Sequence, residues 1–281
     1  MDLAVITDSS SDLSPATTDD LGVGLVKAQV VRQGQLLRDW DQISPIEVLS
    51  AQAEGLELQT QPPGVQDFLE TYEEYLHHYD RLISLHLSSD LSVSVVRARI
   101  AAEQIAPQRV HVVDSRSVSI GLSAQVARAV ELIRLGWEEG AILGELERIQ
   151  RSGLLLFSVA DEVHLIRSGR VPRTVLSDLS APQMAPVLSV QEGRIQLARV
   201  VKREGLEASL VSLLAEPLKG RLCRVSFGHT SASPEAVERF KQLLGESPLN
   251  LERGRVVQLG AAVTTHLGAG ALAVHAYPMV G

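Results

Sequence analysis

Short apolar runs that close on hydroxyl side chains alternate with longer stretches whose apolar residues recur every three to four positions. Residues 3–7 (Leu-Ala-Val-Ile-Thr) read as a buried strand, ended by the turn Asp8-Ser9-Ser10-Ser11. Asp12 or Ser14 is the expected cap of the next helix, with Pro15 in its first turn. A second strand is expected over 24–31, a loop over 39–43, and a helix over 45–54 capped by Ser44. The breaker Gln61-Pro62-Pro63-Gly64 precedes an amphipathic helix over 65–78. Residues 81–87 alternate and meet Ser88-Ser89-Asp90, residues 93–106 have helical period, and 109–113 form another apolar run. A long helix, opened by Ser119 or Ser123, extends to about residue 135, and a further one covers 137–151. Strands alternating with helices imply a parallel sheet flanked by helices on both faces.

Beyond Gly153 the texture changes. A short helix is expected over 161–168, then a stretch punctuated by Pro172, Pro182 and Pro186. Residues 185–190 and 194–201, separated by Glu192-Gly193, have the pattern of a hairpin. Helices are expected over 206–214 and 233–244, and strands over 222–228, 255–258 and 272–277. The chain of 281 residues exceeds the usual span of one core. The expected fold is therefore α/β with two domains: a parallel-sheet domain over 1–155 and a smaller α/β domain over 156–281.

Composition narrows the function. An apolar share of 45% beside 21% charged residues describes an ordinary globular chain. A net charge of −8, with no basic stripe interleaved with aromatics, argues against nucleic acid. The one cysteine, Cys223, fits a reducing compartment. No apolar run reaches membrane-spanning length and no signal-like segment precedes the first strand, so a cytoplasmic location without stable membrane insertion is expected. The eight histidines show no metal-ligand spacing, no Gly-x-x-x-x-Gly-Lys-(Ser/Thr) motif is present, and no metal or cofactor is expected. A monomer is the default expectation.

Candidate chemistry lies where apolar runs end. Of four hydroxyl-rich segments, at 6–13, 88–92, 112–117 and 264–270, three follow a strand-like run, the position at which open α/β sheets place ligands. Neutral donors gathered there suit a carboxylate or phosphate. Asp8-Ser9 and Asp114-Ser115 admit a base-and-nucleophile reading, against the plainer one of carboxylates accepting backbone N–H groups in turns. The absence of a Gly-x-Ser-x-Gly elbow favours the plainer one.

Ordered motifs along almost the whole chain resemble the DegV family of fatty-acid-binding proteins. They are Thr7-Asp8-Ser9-Ser10-Ser11-Asp12-Leu13, Gln59-Thr60-Gln61-Pro62-Pro63, Leu91-Ser92-Val93-Ser94, Val113-Asp114-Ser115-Arg116, Leu165-Ile166-Arg167-Ser168-Gly169-Arg170 and His266-Leu267-Gly268-Ala269-Gly270-Ala271. Val93 replaces a usual glycine, Pro63 a serine, and Ala185 a frequent lysine. The resemblance implies a long-chain fatty acid of the palmitate or oleate class as ligand. It also implies a partner, the catalytic subunit of a fatty acid kinase, so this chain would be a carrier and not itself an enzyme. Thr60 and Ser92 would donate to the carboxylate, with Gln61, Ser94 and His266 nearby. Arg170 and Arg203 would meet a phosphate or the partner. The plainer readings are a turn hydroxyl for Thr60, a helix cap for Ser92, a buried hydrogen-bonded ring for His266 and a solvated face for the arginines. The rival function is a phosphotransferase component or a serine hydrolase built on an Asp-Ser pair.

Overall fold

The computed structural model describes residues 2–172, 175 and 181–279. Its first half contains β1 (Leu3–Asp8), α1 (Pro15–Leu21), β2 (Val23–Val26), β3 (Gln29–Arg32), β4 (Gln35–Arg38), α2 (Pro45–Ala53), β5 (Leu58–Gln61), α3 (Val65–Leu76), β6 (Arg81–His86), α4 (Ser94–Ile105), β7 (Val110–Asp114), α5 (Ser119–Arg134) and α6 (Glu139–Ser152). The second contains β8 (Leu154–Ser158), α7 (Val163–Arg167), β9 (Met184–Gln191), β10 (Arg194–Lys202), α8 (Leu206–Ala215), β11 (Leu222–His229), α9 (Pro234–Gly245), β12 (Asn250–Gln258), α10 (Ala261–Leu267) and β13 (Leu272–Pro278).

The four strands β2-β1-β6-β7 form a parallel sheet. Because successive side chains leave a strand on opposite faces, β1 serves two cores. Leu3 and Val5 pack with Leu122, Val126, Ile142 and Leu146 of α5 and α6, whereas Ala4 and Ile6 pack with Phe68, Tyr72 and Ala98 of α3 and α4. Helices therefore cover both faces, as the alternation of elements predicts.

The second half is built on a six-stranded sheet of order β10-β9-β8-β13-β11-β12, antiparallel except for β11 with β12. One face carries α8 and α9 through Leu210, Leu214, Phe240 and Leu244. The other meets α7, α10 and Ile120 of α5, which brings the two halves together. Glu192 (φ 50°) and Gly193 (φ 86°) both lie in the left-handed region, as a type I′ hairpin turn requires. That turn docks on the first half: Ser88 Oγ donates to the Gly193 carbonyl at 2.8 Å, and Arg194 meets Asp90 at 3.0 Å.

Several expectations need correction. The strand expected over 24–31 is two, because the chain leaves the parallel sheet after Val26 and enters a three-stranded sheet, β4-β3-β5. Ala28 N–H donates to Ser9 Oγ at this bend. The short, half-exposed strands β4 and β5, and β8, gave no separate signal. Ser14, not Asp12, caps α1. Asp12 instead accepts from Gly260 N–H at 2.7 Å and from Ser119 Oγ at 2.5 Å, joining β1 to the entry of α10. Asp39 accepts from the next two amides, Ala261 and Ala262. Burial pushes the Asp12 carboxyl well above its usual range and that of Asp39 up to about 6. His266 stands in the last turn of a helix, α10, and the glycines of its motif begin only after it, at Gly268.

Candidate functional site

Thr60 lies on β5, paired with Val30 of β3. Alternation along β5 turns Leu58 and Thr60 to the inner side and Gln59 and Gln61 to solvent. The inner side faces α10, where Val30, Ile43 and Val48 pack on Ala261. His266 occupies the last turn of α10. The two meet there: Thr60 Oγ1 and His266 Nε2 are 2.8 Å apart.

Ser92 stands two residues before α4. Its Oγ accepts from Ser94 N–H at 3.2 Å and lies 3.0 Å from Ser94 Oγ. This is a local turn at the helix entry, with Val93 as the cap residue in ordinary backbone (φ −82°). The glycine that the family places at that position is therefore not required here. Arg97, one turn into α4, donates to both Pro62 and Pro63 carbonyls at 2.8 Å. It pins the breaker after Thr60 against the helix that follows Ser92. Sequence reading missed Arg97; an arginine on a helix face gives no local signal of a distant carbonyl pair.

Arg170 completes the group. It is half-buried, donates to the Ser168 carbonyl at 2.8 Å, and has no carboxylate partner among the described residues. Burial lowers its pKa. Burial, together with the Arg170 charge, holds the His266 imidazole down to about 3, so the ring is neutral.

These residues line a slot of about 870 Å³, counting its open mouth. Thr60, Gln61, Ser92, Ser94, His266 and Arg170 all touch it, with Ser10 and Ser119. The rest of the wall is apolar, from Leu87 and Leu91 of the first half and Leu155, Phe157, Ile195 and Ala273 of the second. On their far side Thr60, His266 and Arg170 also line a polar recess of about 1010 Å³ with Glu57, His164, Arg167 and Ser168. Gln52 ties together two of the recess's lining residues, donating to the Thr265 carbonyl at 3.0 Å and lying 3.3 Å from His164 Nδ1.

Other expected residues lie elsewhere. Arg203 is half-buried away from the slot, donating to the Pro182 and Met184 carbonyls. Arg167 pairs with Glu57 at 3.3 Å on the surface. Arg173 lies outside the described residues. The Asp-Ser pairs serve turns. Asp8 accepts from Ser10 and Leu87 amides, Asp114 from Ser89 and Arg116 amides, and Ser115 Oγ donates to the Ser117 carbonyl. Asp8 also lies 3.0 Å from His86, whose Nε2 is 2.6 Å from Ser84 Oγ. That acid–imidazole–hydroxyl chain is sealed in the core, with all three side chains fully buried and Phe68 edge-on against the ring. Among the described residues no group of three or more His, Cys, Asp or Glu could hold a metal ion, and no helix is long and apolar enough to cross a membrane.

The model of the DegV family, described as an uncharacterised protein, matches residues 2–279. The chain belongs to the DegV family. A DegV domain-containing protein of Deinococcus radiodurans is 33% identical over 99% of each chain. The structure of a DegV family protein from Thermus thermophilus, described as fatty acid binding, superimposes with a TM-score of 0.93 at 34% identity, covering 99% of this chain and all of that one. DegV of Bacillus subtilis, described as a fatty acid binding protein, gives a TM-score of 0.85 at 25% identity over 99% of this chain and 100% of its own. The fold is thus shared with both structures over 99% of the chain.

Proposed function

We propose that this protein binds a long-chain fatty acid, with the carboxylate at the Thr60–His266–Arg170 end and the acyl chain along the slot. The carrying observation is Arg170, a half-buried cation without a carboxylate partner among the described residues, beside a neutral ring and hydroxyls at the end of an apolar channel. A buried charge calls for a counter-charge, and an apolar channel leading from it calls for a hydrocarbon. Burying the chain contributes about 0.8 kcal/mol per methylene, roughly 10 kcal/mol before ordering costs.

The head group sets the proton positions. With His266 in the Nε2–H tautomer, the ring donates to Thr60 Oγ1 and leaves the threonine proton free for the ligand. Ser92 Oγ already accepts from Ser94 N–H, so its own proton is free as well. Two hydroxyl donors and a guanidinium replace the water that the carboxylate gives up. The fatty acid binding described for the Thermus and Bacillus relatives supports this reading.

The finer reading is a carrier that presents the carboxylate to the catalytic subunit of a fatty acid kinase for acyl phosphate formation. The polar recess behind Thr60 and His266 supports it, because it leaves the head group a route to solvent on the side away from the chain. Arg203 is our candidate contact for that subunit. Lipid extracted from protein purified from a bacterial host, analysed by mass spectrometry, should contain a stoichiometric long-chain fatty acid. Lipid-free protein that also ignores added palmitate and oleate would overturn the binding reading. Bound lipid without acyl phosphate formation, on mixing with kinase subunit and ATP, would overturn only the kinase part.

A further inference from the structure

A second cleft opens on the opposite edge of the six-stranded sheet, between α1 and α5 of the first half and β11, β12 and β13 of the second. It encloses about 1010 Å³, counting its mouth. Its floor is apolar, formed by Leu21, Ala124, Ala127, Val130 and Val225. Leu135 at the rim is 65% exposed, a position with nothing yet packed on it.

The charges around this floor are one-sided. Four guanidinium groups line the cleft, Arg134, Arg224, Arg253 and Arg255, against one carboxylate, Glu131. That carboxylate is already taken. Arg224 holds it through two nitrogens, and Arg128 adds a third contact at 3.0 Å. Arg224 itself is shared with Glu252 at 2.5 Å. Arg134 donates to the Asp20 and Leu21 carbonyls that end α1, which leaves its charge uncompensated. Arg253 and Arg255 stand two apart on β12 and so leave it on the same face. Arg253 lies beside Arg224 in the parallel register. Arg255 is half-buried, and the charged or titratable neighbours that act on it are Tyr277 and a second cation, Arg253, with no carboxylate among them. In a chain of net charge −8, Arg134 and Arg255 have no carboxylate contact among the described residues, and Arg253 shares with Arg224 the single carboxylate of Glu252, so the positive charge around the apolar lining exceeds its counter-charge.

We infer that this cleft is a second ligand site, distinct from the slot, for an anionic amphiphile whose phosphate or carboxylate head pairs with Arg253 and Arg255. Guanidinium forks match either anion with two parallel hydrogen bonds. The apolar part of the ligand lies on Leu21, Val130 and Leu135, which a bare ion would leave uncovered. The site does not share a lining residue with the fatty-acid slot, so its test is independent of the slot's occupant.

The experiment titrates decyl phosphate, decanoate and inorganic phosphate into the full chain and its R253S/R255S variant by calorimetry, with the slot of each first saturated with palmitate. Decyl phosphate should bind the parent at least tenfold more tightly than the variant, and at least tenfold more tightly than inorganic phosphate. A preference for decyl phosphate over decanoate identifies a phosphate-headed ligand, and parity identifies a carboxylate-headed one. Equal binding of both amphiphiles to parent and variant overturns the inference, as does inorganic phosphate matching decyl phosphate. Leu135→Ser, at an already exposed side chain, provides a second arm should the double variant fold poorly. It should weaken decyl phosphate about threefold without changing inorganic phosphate, and no effect on decyl phosphate would overturn the amphiphile assignment.

Discussion

Thr60 Oγ1 and His266 Nε2 lie 2.8 Å apart across 206 residues of sequence. The contact joins a strand of the small three-stranded sheet to the last turn of α10, and both residues line the slot. Replacing Thr60 and Ser92 together by alanine removes both hydroxyl donors while leaving the apolar walls in place. Fatty acid affinity should fall by roughly 2–4 kcal/mol, measured by displacement of a fluorescent fatty acid. An unchanged affinity would move the carboxylate elsewhere.

The ring gives the protein an acid-sensitive term. His266 is held down to about 3 in the folded chain, against an ordinary value of 6.5. As pH falls the unfolded chain takes up this proton first, so stability present above pH 6.5 declines between there and pH 3. Asp39, raised to about 6, acts in the opposite sense: stability present below about pH 4 declines as pH rises through 6. Chemical denaturation at several pH values should show a shallower acid-side loss in His266→Gln than in the parent. Parallel curves would show that the ring titrates alike in the folded and unfolded chain.

The two halves are also joined by an ionic ladder. Arg148 and Arg128 grip Glu145, Arg128 reaches Glu131, and Glu131 pairs across the interface with Arg224. The arginines hold the Glu131 carboxyl down to about 2. The ladder's contribution is therefore present above the usual glutamate pKa near 4.3 and is lost as pH falls through 2. Arg224→Met should cost about 1–3 kcal/mol in urea unfolding, less than a fully buried pair because water reaches Glu131. Adding Glu131→Gln to that variant should recover part of the loss, since a stranded carboxylate is then removed.

At the hairpin tip, a methyl group on Gly193 would lie 2.4 Å from Ser88 Oγ, and its φ of +86° disfavours any side chain. Gly193→Ala should lower stability by about 1–3 kcal/mol. Combining it with Ser88→Ala should relieve the clash but not the backbone strain, leaving a partial loss in thermal unfolding.

Arg203→Ala tests the proposed docking role. Its guanidinium braces the Pro182 and Met184 carbonyls outside the slot. Fatty acid binding should be retained, while kinase-dependent acyl phosphate formation falls at least tenfold. Loss of both would assign Arg203 to the fold alone.

Much of the frame was legible because it rests on local rules. The parallel sheet follows from apolar runs alternating with helical periods, the hairpin from Glu192-Gly193, and the α2 start from Ser44, whose capping box with Glu47 the structure completes. What escaped was non-local. β5 is four residues with half its side chains in solvent, so no run announces it, yet it positions Thr60. Asp12 has the composition of a helix cap, but its partners, Gly260 and Ser119, are more than a hundred residues away. Likewise Thr60 and Ser92 were singled out only by resemblance to a family, and both line the slot. Their convergence on one slot depends on Arg97 tying the Pro62–Pro63 bend to α4.

The slot's walls come from both halves of the molecule, Leu87 and Leu91 on one side, Leu155, Phe157 and Ile195 on the other. A hydrocarbon lying there acts as mortar between two courses of brick. Under the proposed reading, loading and rigidity become one event, and heat resistance should climb with the logarithm of free lipid above its dissociation constant.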